Sequence, residues 1–179
     1  DPFCGVGTIL QEAALTGANT IGSDISDLAV ANAKKNMEWL RREYKKIQPL
    51  YMNMFVCDAT HITACVSPAS IDAIVTEPYM GETIDTKNRN NVPTERIKNI
   101  LKGLEKLYIG SLREWASVLK PNARVVMAMP LYVMGRAHMR VKNVVDRCES
   151  LGYTLLTGPI EYSRPQAIVR REFFVFQKK

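Results

Sequence analysis

Four short stretches of the chain carry residues whose types and spacing could do chemistry. The first is Asp1-Pro2-Phe3-Cys4-Gly5-Val6-Gly7-Thr8, ahead of a helical pattern. Its glycines let a backbone approach a ligand closely where a helix N-terminus presents N–H donors, although the same residues also make a plain turn. Asp24, 17 residues beyond Gly7 and followed by Ile25, can accept from two ribose hydroxyls or stand as a solvated turn residue. Asp58, followed by Ala59, can accept from an adenine amino group or cap the helical turn behind it. Thr76-Glu77-Pro78-Tyr79 is the most informative tetrapeptide. Its proline stiffens the backbone. Its tyrosine is either a half-buried loop residue or a face for stacking a base, worth ~1–3 kcal/mol. An oxygen beside it could accept from an exocyclic amino group. Gly81 marks a tight turn or a need for room.

The elements that must position these residues alternate along the chain. Helix is predicted over 8–16 with Gly17 as its stop, strand over 20–25, and helix over 27–45 with Val30, Ala33, Met37, Leu40 and Tyr44 on one face. Strands follow at 50–57 and 71–76. A polar loop with Lys87 and Arg89 leads into a long helix from Pro93 to Leu119, where Gly103 and Gly110 are possible bends. Then come a strand over 124–129, a helix over 138–150, and strands over 153–157 and 170–177. Strand–helix alternation predicts an α/β, doubly wound, mostly parallel sheet, with the final strand antiparallel. Ligands of such sheets sit outside the carboxyl ends of the strands. The residues at 1–7, 24, 58 and 76–79 are therefore expected to meet at one crevice.

The chain has 179 residues, 46% hydrophobic and 23% charged, which fits one globular domain. No stretch approaches the ~18 apolar residues of a membrane span, and the opening is not a signal peptide. The first residue already belongs to a motif, so the chain reads as a fragment lacking a strand upstream of Asp1. Cysteines at 4, 57, 65 and 148 form no CxxC pair. Reduced thiols in a cytoplasmic protein are expected, with neither disulfides nor a metal site. His61 and His138 are too few and too far apart for a metal cluster. The net charge of +6 favours an anionic partner such as nucleic acid. Lys87, Arg89, Arg164 and Gln166 could reach phosphates at the mouth of the crevice, or join Lys98, Lys102 and Lys106 as solvated surface.

Taken in order, Asp1–Thr8, a helix ending Glu-Ala-Ala-Leu-Thr-Gly, Gly22-Ser23-Asp24-Ile25, Asp58 and Glu77-Pro78-Tyr79 resemble the class I S-adenosylmethionine-dependent amino-methyltransferases. The subgroup that joins a THUMP RNA-binding domain to a tRNA guanosine-N2 methyltransferase domain is the most similar, and the likeness covers almost the whole chain. It implies a Rossmann-like methyltransferase domain, S-adenosylmethionine as cofactor, tRNA or another nucleic acid as partner, and an RNA-binding domain upstream. Some relatives use a small activating subunit, which the residues here neither require nor exclude. By position, Asp1, Pro2, Cys4, Gly5 and Gly7 would surround the methionine part of the cofactor. Asp24 with Ile25 would bind the ribose, and Asp58 with Ala59 the adenine. Thr76, Glu77, Pro78 and Tyr79 would take the target base.

Two departures matter. The family's tetrapeptide usually runs Asp, Asn or Ser, then Pro-Pro, then an aromatic residue; here Thr76 and Glu77 hold its first two positions. Glu77 either supplies the missing carboxylate or the site is weak or dead. The strand expected before Asp1 is also missing. Rival readings are a DNA adenine or cytosine amino-methyltransferase and a non-catalytic S-adenosylmethionine-binding module. A nucleotide-dependent oxidoreductase is disfavoured, because Leu10 stands where a dinucleotide fingerprint needs a small residue.

Overall fold

The computed structural model describes residues 1–82, 84, 92–134, 137–164 and 167–179. Its first half is two short strands backed by two helices. Helix α1 (Thr8–Leu15) begins at Gly7, whose φ of 88° turns the chain out of the preceding loop, and buries Leu10 and Ala14. Strand β1 (Thr20–Asp24) pairs in parallel with β2 (Met52–Val56). Between them runs α2 (Asp27–Glu43). The Ser26 side chain accepts from the Ala29 N–H at its start, Asp27 stands in its first turn, and Arg41 and Arg42 stand in its last. Its buried face is Val30, Ala33, Met37 and Leu40, which the 3–4 spacing predicts.

The second half is a larger sheet. Strand β3 (Ile71–Thr76) leads to α3 (Thr94–Val118), one continuous helix through Gly103 and Gly110. Its buried stripe of Ile97, Leu101, Leu104, Tyr108, Leu112 and Trp115 anchors the main core. Then follow β4 (Leu119–Met134), β5 (Ala137–Arg140), the single turn α4 (Asn143–Asp146), β6 (Tyr153–Tyr162) and β7 (Val169–Lys178). The sheet runs β3-β4-β7-β6, with β5 added beside β4. Strand β3 is parallel to β4, and β7 is antiparallel to both its neighbours, so β7 runs opposite to β3, β4 and β6.

Two expectations need correction. The helix expected over 138–150 is replaced at its start by β5, which pairs antiparallel with the end of β4. Strand β4 runs well past 129, and its extra length offers 137–140 a backbone partner that sequence periodicity does not reveal. Cys57 and Cys65 form a disulfide, with Cα atoms 6.7 Å apart. The turn over Ala59–Ala64 folds the chain back between them, so their separation in sequence hides their closeness. Cys4 and Cys148 remain free and buried.

Among the described residues the β1–β2 pair and the larger sheet are not hydrogen-bonded to one another, as expected of a sheet that lacks a strand beside β1. Between them lies a cavity of about 570 Å³, lined by Ile21 and Ser23 of β1, by Ala73 and Val75 of β3, and by Trp115. Two buried polar atoms on its wall, Ser23 Oγ and Trp115 Nε1, have no partner. At its end the Asp1 amino group donates to Ile21 O and the Ser23 N–H donates to Asp1 O, both at 2.9 Å. That alternation is the start of a parallel ladder. Among the described residues no helix is long and apolar enough to cross a membrane.

One ion pair ties β5 to β7. Glu172 is 2% exposed, and burial pushes its carboxyl above the usual range. Arg140 Nη2 lies 3.2 Å from it. Arg140→Ala strands this carboxyl, and because the arginine is half-exposed the cost is about 2 kcal/mol rather than the ~3–5 of a fully buried pair. The check is a lower urea midpoint at unchanged m-value. A raised folded pKa means that stability is lost as pH climbs from the unfolded carboxyl value through the folded one. The deficit should therefore shrink in acid, where the carboxyl is protonated in both states.

Candidate functional site

Hydrogen bonds draw the strand ends together. Asp24, at the end of β1, accepts from the Gly5 N–H through Oδ2 and from the Ser26 N–H through Oδ1, each at 3.0 Å. The Cys57 N–H donates to Asp24 O at 3.0 Å, which brings Asp58 beside the same turn. Asp1 Oδ1 accepts from the Phe3 N–H at 3.1 Å and from the Thr76 hydroxyl at 2.6 Å, joining the first loop to the end of β3. A methyl group built on Gly7 would lie 3.3 Å from Ala33 Cβ, whereas one on Gly5 would meet nothing within 4 Å. The loop thus packs down on α2 at Gly7 and faces open space at Gly5. Asn36 Nδ2 holds it from α2 by donating to Val6 O at 2.8 Å. Pro2, Cys4 and Ala59 are buried beneath this surface, and Ile25 is exposed beside it.

Asp58 shows the capping role among its two readings. It accepts from the Thr60 N–H and hydroxyl, both at 2.8 Å, with His61 Nδ1 at 3.3 Å. The Thr60 backbone N–H, foremost among these, holds its carboxyl below the usual range. The side chain is still 41% exposed, so capping does not use it up. By carbon-detected NMR, Asp58 should titrate below ordinary aspartates, and Thr60→Ala should raise its midpoint only part-way because the backbone donor stays. A lowered folded pKa stabilises the turn above the unfolded aspartate value, and that support disappears as pH falls through the folded one.

The tetrapeptide is held from several directions. Thr76 is buried, with its proton given to Asp1. Both Glu77 oxygens are engaged by Arg171, from Nε at 2.8 Å and Nη2 at 2.6 Å; the carboxylate in turn raises the hold of the guanidinium on its proton. Tyr79 is 56% exposed. Its carbonyl accepts from the Tyr108 hydroxyl, and the Met80 carbonyl accepts from the Tyr132 hydroxyl, both at 2.7 Å. Burial raises both phenols, that of Tyr132 to about 12, so they stay protonated donors at neutral pH.

Sequence reasoning missed Asn36, Tyr108, Tyr132 and Arg171. Tyr108 reads as one more apolar residue of a helical stripe, and Arg171 only falls within the strand expected over 170–177. Of the residues expected at the mouth, Lys87, Arg89 and Gln166 lie outside the described residues, while Arg164 is exposed, as are Lys98, Lys102 and Lys106 on α3. The 570 Å³ cavity is not this crevice: Asp24, Asp58 and Tyr79 are absent from its lining.

A family profile described as UPF0020, RMKL-like methyltransferase domain, matches residues 1–153. The chain belongs to the UPF0020 family. Curated relatives of this UPF0020 chain include the tRNA (guanine(10)-N2)-dimethyltransferase of Pyrococcus abyssi, 27% identical over all 179 residues and 44% of the relative's length. The protein of the same description from Methanothermobacter thermautotrophicus is 29% identical over 74% of the chain and 33% of the relative. The chain thus spans less than half of these relatives. Among solved structures, TrmN from Thermus thermophilus superposes with a TM-score of 0.59 at 21% identity, covering the whole chain and 43% of TrmN. An S-adenosylmethionine-dependent methyltransferase from Methanosarcina mazei superposes at 0.63 and 15% identity, over 98% of the chain and 89% of its own. The α/β fold with a mostly parallel sheet and added antiparallel strands is thus the Rossmann-like methyltransferase fold.

Proposed function

We propose that the protein transfers a methyl group from S-adenosylmethionine to the exocyclic N2 amino group of a guanosine in tRNA, in the cytoplasm. The observation that supports this reading is the bonding of Gly5 to Asp24 and of Asp1 to Thr76, which ties the first loop to an acidic strand end and to the strand end that leads into exposed Tyr79. The relatives' activity on tRNA guanine supports the substrate class.

The residues present fit the cofactor. The backbone at Gly5 faces open space where a ligand can approach it, and Asp24 and Asp58 offer carboxylate acceptors at adjacent strand ends for hydroxyl and amino donors. Asp1, Pro2, Cys4, Gly5 and Gly7 would surround the methionine part, with Cys4 acting only from beneath. Asp24 and Ile25 would meet the ribose, and Asp58 and Ala59 the adenine. When bound, the cofactor supplies a methyl group already activated on sulfonium. The chain's task is alignment and polarisation of a weak amine nucleophile. Tyr79 would stack the extruded base and Pro78 would stiffen its loop. Glu77 would accept from the amino group, whereas buried Thr76 would act through its bond to Asp1.

The slot between the sheets completes the domain proposal: residues 1–179 form a methyltransferase domain whose slot receives an extended apolar segment leading into Asp1. Its backbone would continue the ladder that Asp1 begins with β1 and pair with the free edge of β3.

The test is incubation of the full protein with methyl-deuterated S-adenosylmethionine and either tRNA or DNA, followed by nucleoside mass spectrometry. Label in N2-methylguanosine is expected. Label in DNA adenine or cytosine instead would give the rival enzyme. The double engagement of Glu77 by Arg171 favours one competing reading, a binding module without catalysis. Cofactor binding with no labelled nucleoside would establish that.

A further inference from the structure

Of the groups that hold the segment after β3, Tyr108 and Tyr132 bind backbone carbonyls and so fix where the loop runs. Arg171 is different, because it binds a side chain of the tetrapeptide itself. Two parallel bonds between planar groups fix the plane of the Glu77 carboxylate as well as its position. The pair adds little stability, since the arginine and glutamate are 33% and 38% exposed and ion pairs in that setting are screened. Ordering two long side chains from distant parts of the sequence therefore needs a reason other than stability. The tetrapeptide supplies one. Thr76 is buried and committed to Asp1. Glu77 gives Arg171 one lone pair per oxygen and, being partly exposed two residues before exposed Tyr79, has others left to accept with.

We infer that Arg171 is a positioning residue for methyl transfer: it sets the Glu77 carboxylate as the acceptor for the amino group of a base stacked on Tyr79. The inference rests on the function proposed above. In the step it serves, the amine nitrogen forms its bond to the methyl carbon as the carbon–sulfur bond breaks. The surplus proton on nitrogen follows the hydrogen bond to Glu77 and passes to water. Arg171 takes no part in the bond changes; it keeps the acceptor from swinging away from the base.

The test uses the full protein with tRNA and S-adenosylmethionine, together with amide hydrogen exchange over 77–82. Arg171→Ala should lower kcat about 100-fold and Arg171→Lys, which keeps the charge but loses the fork, about tenfold. The KM for S-adenosylmethionine should stay within roughly twofold, with faster exchange over 77–82 and an unchanged melting temperature. The exchanged pair Glu77→Arg with Arg171→Glu should restore loop protection but not kcat, because the carboxylate then sits on the wrong strand. Wild-type kcat and exchange in Arg171→Ala would overturn the inference, as would recovery of kcat in the exchanged pair. A protein that transfers nothing to tRNA, yet loses loop protection in Arg171→Ala, would overturn the proposed function and support the clamp.

Discussion

Gly81→Ala should remove methyl transfer almost entirely while costing only part of the fold's stability. Gly81 has a φ of 98°, where a side chain is strained by ~1–3 kcal/mol. A methyl group there would overlap the Tyr132 hydroxyl and lie 2.8 Å from Ile100 Cγ2. The first neighbour is a buried aromatic ring and the second a packed helix residue, so neither gives way cheaply. Either the loop moves out and loses the bond from Tyr132 to Met80 O, or the core opens. Strain and overpacking together give a loss of about 2–4 kcal/mol, read as a melting temperature lower by roughly 5–15 °C. Because the loop carries Tyr79 and Glu77, kcat should fall about 100-fold or more. Tyr132→Phe removes the same bond without the clash, so it should keep more stability and still slow the reaction. Activity equal to wild type in Gly81→Ala would mean that the loop's path does not matter to the chemistry.

Filling the slot between the two sheets should have the largest effect on stability. A five- or six-residue stretch of Val and Ile joined ahead of Asp1 would meet the part of the β1 edge that Asp1 and Cys4 leave unpaired, the outer edge of β3, and the apolar wall formed by Ile21, Ala73, Val75 and Trp115. Each buried Val or Ile gains ~1.5–3 kcal/mol, and each ordered residue loses ~1–2 kcal/mol of backbone entropy. The balance is about 3–5 kcal/mol, or a rise of roughly 10–15 °C in melting temperature. Amide protection at Ile21 and along β3 should rise with it. An equally long Gly/Ser stretch should do nothing, since it brings no apolar surface. Equal effects from the two would show that the slot takes no strand.

What was legible in the sequence was set by local rules. Helix α2 followed from apolar residues at 3–4 spacing behind a Ser26 cap, and the strand ends from short apolar runs closed by Asp24 and by Asp58. Reversal of β7 followed because no helix intervenes between it and β6. What the sequence hid depends on pairing between distant residues. The extra length of β4 exists because β5 and β7 continue its ladder, which no periodicity within 119–134 records. The disulfide of Cys57 with Cys65 depends on a turn that folds back between them. At the site, glycines and carboxylates were readable as types, but their partners were not. Arg171 finds Glu77 across the sheet, and Tyr108 and Tyr132 find loop carbonyls, through contacts fixed only once α3 and β4 have packed.

The central claim is that four loops, distant in sequence, form one site for an adenosyl ligand. The most direct measurement is an NMR titration of the full protein with S-adenosylhomocysteine, following backbone amides at Gly5, Asp24, Asp58 and Tyr79. These four should move along one saturable curve, with Asp24→Ala abolishing the movement at all of them. Shifts confined to Ile21, Ala73 and Trp115, around the slot, or none at millimolar ligand, would contradict it.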